Sequence, residues 1–335
     1  MRRTLFAAAI MFAPLTAAAN PSISDIIDDH ILPRFETLAS ASEALSDAAM
    51  QDCDPFSDNL RNAYGTAFDA WVSASHLRFG PTEVDDRAFA LAFWPDSRGA
   101  TPRALNALIA AQDPIGFDLK DYNEVSIAAR GFYALEFLLY DDDLISAGNT
   151  AYHCALIQTV TADIAATASA IQDDWKTNQA DVLLSPGRDA AYRSDEEVLQ
   201  EMLRALSAGL QFTQDSRLGR PLGTFDRPRP KRAEARRSGR SVHHVILSLM
   251  SLQDLASHLA VSDAALSDTL DRQFQDALSK LGNLNDPVFA GVADPQSRLK
   301  IEVISQAVGT IHSTVQTKLG PTLGVAAGFN SLDGD

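Results

Sequence analysis

Apolar residues recur every three to four positions along most of the chain after residue 20, the spacing that lines one face of an α-helix. Alternating β-branched runs closed by hairpin turns are missing. The pattern predicts a first set of helices over 22–48, 59–79, 87–94, 103–111, 124–139 and 150–177. A second set follows over 194–213, 241–260, 264–281 and 297–319. Long helices with short polar connections argue for bundles, so the expected fold class is all-α.

One stretch breaks the second set. Residues 216–241, SRLGRPLGTFDRPRPKRAEARRSGRS, hold Pro221, Pro228 and Pro230 with Gly219, Gly223 and Gly239, which oppose a continuous helix. The same stretch carries nine Lys or Arg. A basic loop folded onto acidic helices is the plain reading, and an anion or partner site is the sharper one.

The first residues, MRRTLFAAAIMFAPLTAAAN, read as two arginines, a short apolar run and small residues ending at Ala19. That order is a secretory leader, residues 1–19, cut after Ala19. No cysteine follows the cut, and no later run approaches about 18 uninterrupted apolar residues, so a periplasmic protein that does not span the membrane is expected. The length left is large for one hydrophobic core and suggests two domains, 20–185 and 186–335. The net charge of −16 disfavours nucleic acid and anionic lipid as partners.

Two cysteines, Cys53 and Cys154, lie beyond the leader. In an oxidising compartment they are expected to pair.

Candidate chemistry concentrates in five stretches that mix aromatic residues, Gly or Pro with charge: HLRFGP (76–81), FWPDSRG (93–99), GFYALEFLLY (131–140), EARRSGRS (234–241) and GFNSLDGD (328–335). In this order they resemble the imelysin family of exported bacterial proteins, which is also counted as a peptidase family. The resemblance implies two paired helical bundles with a functional site at the domain interface. It implies binding residues in the motifs: Gly131, Tyr133 and Glu136, with Arg78, Asp96, Arg98, Glu234 and Ser238. It also implies a C-terminal tail docked on the fold, bringing Asp333 and Asp335 with it.

The family signature is G-x-H-x-x-E. Gly131 and Glu136 match it, and Tyr133 stands where histidine is usual. Tyr133 and Glu136 share a helix face. With His76 they form a candidate ligand set for iron or another metal ion, since phenolate and carboxylate are hard donors. The phenol must then lose a proton whose ordinary pKa is near 10. The other reading is a buried hydrogen-bonded pair in which Glu136 accepts from an arginine, drawn from Arg78, Arg98, Arg236 or Arg240. His243 and His244, adjacent on a helix, point about 100° apart, so at most one faces a common site. Asp96 is expected to cap the turn after Pro95.

No catalytic residue is assigned. The chain has no H-E-x-x-H, no G-x-S-x-G, and no free thiol once the cysteines pair. The expected function is a non-catalytic exported binding or accessory protein linked to metal uptake, iron foremost. The alternative is a periplasmic interaction protein that recognises a peptide or an outer-membrane partner without metal.

Overall fold

The structure, a computed structural model, describes residues 20–324. The leader and the GFNSLDGD tail with Asp333 and Asp335 lie outside the described residues. Among those described, the regular elements are helical, and pairing of β type is limited to one bridge between Thr224 and Arg227.

Ten helices carry the architecture: α1 Leu32–Gln51, α2 Asp58–Ala74, α3 Arg87–Leu91, α4 Ala100–Ala111, α5 Gly131–Tyr140, α6 Thr150–Asp174, α7 Asp195–Phe212, α8 Ser241–Leu259, α9 Ala264–Gly282 and α10 Pro295–Thr314. Their starts follow capping rules. Ser57 accepts from the Leu60 amide, Asn149 from those of Ala151 and Tyr152, and Asp294 from that of Ser297, satisfying amides that no helical turn can reach.

Helix α1 packs between α2 and α6, and α5 lies on α6. Helices α7 to α10 form a second bundle through the pairs α7 with α8, α8 with α9 and α9 with α10. The two sets meet where α2 packs on α8. The buried apolar residues run as one continuous cluster from Ile26 to Leu323, so the hydrophobic interior does not divide at residue 185.

The helix that begins with α6 and continues to Leu184 is long and apolar enough to cross a membrane by composition. Its Leu156, Ile157, Val160, Ile164 and Ile171 are buried inside the protein, which accounts for that composition as a core helix.

Several expected boundaries shift. The helix predicted over 59–79 ends at Ala74, where the amides of Ser75 and Leu77 bond the carbonyls of Val72 and Ala74 in tighter turns. The helix predicted over 124–139 starts only at Gly131, after 3-10 turns. The basic stretch is not loop from residue 216: helical turns run through Thr213–Leu218 and Gly219–Leu222, and Ala233, Glu234 and Ala235 are buried. Its charges are not all solvated, because Arg217 is 4% exposed.

Cys53 and Cys154 form the expected disulfide, with Cα atoms 5.1 Å apart. It ties the end of α1 to the first turn of α6.

Candidate functional site

Helix α5 delivers Tyr133 and Glu136, and Gly131 sets where it starts. A Cβ on Gly131, at φ +73°, would lie 2.2 Å from the carbonyl oxygens of both Ala90 and Leu91. Only glycine lets α5 begin against α3 at this distance. Its role in the fold is steric.

Tyr133 is buried. Its hydroxyl donates to Glu234 Oε1 at 2.5 Å, across 101 positions of sequence. The other oxygen, Oε2, accepts from Arg217 Nε at 2.7 Å. Arg217 also donates to Ser248 Oγ at 3.1 Å, and its guanidinium lies 4.9 Å from the centre of the Phe212 ring. Glu234 is 1% exposed, a charge that burial penalises. That penalty is outweighed by Arg217, His244 and Tyr133, which hold its carboxyl down at about 2. Burial, reinforced by the Glu234 charge, pushes the Tyr133 phenol well above its ordinary value. The proton stays on the phenol and is shared with Glu234.

Glu136 is held through one of its two oxygens. Its Oε1 accepts from the Ser238 amide at 2.9 Å and from the Ser238 hydroxyl at 2.8 Å. This corrects the expected arginine partner. Arg240 pairs with Asp69, Arg78 with Glu83 at 2.7 Å, and the guanidinium of exposed Arg98 makes no hydrogen bond among the described residues. Arg236 comes near enough to feel the Glu136 charge without bonding to it. A serine reaches the carboxylate because the chain turns at Ala235, with φ +45°, and folds its amide inward.

The remaining candidates separate. Asp96 accepts from the Arg98 amide at 3.3 Å, in the expected turn after Pro95, and also from the first amides of α4, Ala100 at 2.9 Å and Thr101 at 2.8 Å. His243 is half exposed and bonds Asp69 at 2.9 Å, whereas His244 is fully buried with its ring 4.5 Å from that of Phe68. Its Nδ1 lies 3.6 Å from Glu234 Oε2, an electrostatic contact.

His76 belongs to a relay that no motif or spacing announces. Its Nε2 is 2.9 Å from His30 Nε2, and His30 Nδ1 is 2.7 Å from Asp254 Oδ2. An ionised Asp254 accepts from His30 Nδ1–H, so His30 Nε2 accepts from His76. Burial lowers His30 to about 4 and His76 well below its ordinary value, so both rings are neutral at pH 7. These depressed values make the folded state resist protonation. Their stability contribution is complete above about pH 6.5 and is lost as pH falls through about 4. The melting temperature should decline across that window, and less steeply in His30→Gln; a flat profile in the native protein would contradict the neutral relay.

A cavity of about 560 Å³ opens beside these groups. Trp71, Phe89, Trp94 and Phe212 supply aromatic walls, and His76, Tyr133, Arg217 and Glu234 line it. Arg78 stacks over Phe89 at 4.7 Å on its edge. The volume is that of a small-molecule site. The candidate donors for a bare cation, however, are largely engaged: the Tyr133 proton with Glu234, Glu136 Oε1 with Ser238, and His76 with His30. Among the described residues, no three of His, Cys, Asp or Glu are placed to share a metal ion. Among the described residues, Tyr133 and Glu136 are thus not joined by a third ligand for a bare metal ion.

Comparison with known proteins adds three findings. The Imelysin family profile, whose label also carries the word peptidase, matches residues 31–315. The crystal structure of an imelysin-like protein from Psychrobacter arcticum 273-4 is similar, with TM-score 0.78 and 21% identity over 92% of this chain and 96% of that one. The crystal structure of a candidate iron-regulated protein A precursor from Parabacteroides distasonis ATCC 8503 is also similar, with TM-score 0.74 and 13% identity over 91% of this chain and 98% of the other. No curated protein matches the chain.

Proposed function

The chain belongs to the imelysin family, and from that premise we propose that it is a non-catalytic, exported binding protein that serves iron acquisition as an accessory. Its cargo is iron in an organic chelate, held in the aromatic cavity beside Tyr133, in place of a bare ion bound by Tyr133 and Glu136. The observation that carries this reading is the cavity of about 560 Å³ set against motif residues that bond one another, Tyr133 with Glu234 and Glu136 with Ser238. Such a wall positions a ligand by shape, stacking and a few polar contacts.

The link to iron draws on the Parabacteroides protein, which is named for iron regulation, and on the shared family. The peptidase label finds no free thiol, because Cys53 and Cys154 are paired with each other, and of the serines on the cavity wall Ser75 and Ser248 are bonded to Arg217 and none bonds to His76. The histidine on its wall is occupied by a second histidine.

Equilibrium dialysis against radioactive iron, supplied once as the aqueous ion and once as ferric citrate, tests the reading. The chelate should be retained and the bare ion should not. Ala208→Trp, which fills the cavity, should abolish retention. Retention of neither form would overturn the iron role.

A further inference from the structure

A second cleft, about 240 Å³, lies on the other side of Trp94. Five cations line it, Arg220, Lys231, Arg232, Arg236 and Arg237, against two carboxylates, Asp96 and Glu136. In a chain of net charge −16 this is a local reversal of sign.

The acidic groups there are already engaged, Asp96 with helix amides and Glu136 with Ser238. The cations largely are not. Arg237 alone of the five pairs with a carboxylate, Asp141, at 2.7 Å, and it lies 3.6 Å over the Phe137 ring. Arg220, Lys231, Arg232 and Arg236 make no side-chain hydrogen bond or ion pair among the described residues. Arg220 Nε is buried with no partner, its guanidinium 5.7 Å from the centre of the Trp94 ring. A buried, unbonded guanidinium nitrogen is costly, and like charges crowded together repel. Both costs are relieved by an anion that accepts from several of these groups at once, as guanidinium forks do for carboxylate and phosphate.

We infer that this cleft, between the 93–102 segment, α5 and the basic 220–237 segment, binds a small polyanion bearing carboxylate or phosphate groups. The inference is independent of the iron reading, because it needs no metal. It also gives the basic stretch a purpose that a solvated loop lacks: the stretch folds inward at Glu234 and presents its cations on both sides of that point.

Calorimetric titration of the full chain with inorganic phosphate and, separately, with iron-free citrate tests it. Saturable one-site binding of at least one of them is expected, weakening as salt is raised. Binding of phosphate alone identifies a phosphate-type ligand, and binding of citrate alone a polycarboxylate. Arg220→Gln with Arg236→Gln should weaken binding by about tenfold or more, since hydrogen bonds to charged groups contribute on that scale. Lys231→Gln with Arg232→Gln, both exposed positions, should weaken it without disturbing the fold. Arg188→Gln, exposed and outside the cleft, should leave it unchanged. No saturable heat with either anion, or binding undiminished in both double variants, would overturn the inference.

Discussion

Arg217→Ala is expected to lower the unfolding free energy by about 3–5 kcal/mol, the scale on which breaking a buried ion pair destabilises a protein. The guanidinium is the counterion of a carboxylate that is 1% exposed. Its removal leaves Glu234 charged, out of water, and bonded only through Tyr133 and a distant His244 ring. Replacing both charges by apolar residues, Arg217→Met with Glu234→Leu, should restore much of the loss, since no unpaired charge then remains. Acid gives a second reading of the same network. Glu234 sits at about 2 against an ordinary 4.5, so its stabilising contribution is complete above about pH 4.5 and is lost as pH falls toward 2. Asp254 of the His30 relay is also held at about 2, so comparison of Arg217→Ala with His30→Gln tells the two networks apart. Urea unfolding of Arg217→Ala at pH 7 within about 1 kcal/mol of the native protein would contradict a buried pair.

Cys53→Ser should cost about 2–5 kcal/mol, because the bridge closes a loop with a sequence separation of 101 and removes that freedom from the unfolded chain. The effect should appear in the oxidised native protein alone. Adding a reductant should bring the native chain down to the level of the variant and leave the variant where it is. Identical denaturation midpoints for native and variant under oxidising conditions would contradict the cross-link.

The helices were legible because periodicity is a local property: burial of one face every 3.6 residues writes itself into the order of residues. Cys53 and Cys154 were legible for a different reason, since two cysteines in a chain expected to be exported leave one pairing. The polar network was not legible in the same way. Glu234 entered only through a motif, and its partner Arg217 looked like one more charge in a basic, proline-containing stretch. Its burial depends on helical turns continuing through Leu222. The His76 relay was missed altogether, because His30 and Asp254 are 224 positions apart and neither sits in an unusual stretch. Pairings over such distances are fixed by how bundles pack, which spacing along one helix does not encode. Ser238 reaches Glu136 ahead of four arginines for a local reason, a backbone turn at Ala235 with positive φ, that composition does not reveal.

With Tyr133 bonded to Glu234 and Glu136 to Ser238, the account predicts that this site takes up no bare metal ion, and isothermal titration of the native chain and of Tyr133→His with ferrous and zinc ions measures this directly. Histidine at 133 supplies the family's usual donor and needs no deprotonation of a phenol, yet Glu136 stays bonded to Ser238 and Glu234 to Arg217. Both titrations should be flat, with the substitution altering the melting temperature alone. Stoichiometric binding by the native protein that disappears in Glu136→Ala would contradict it.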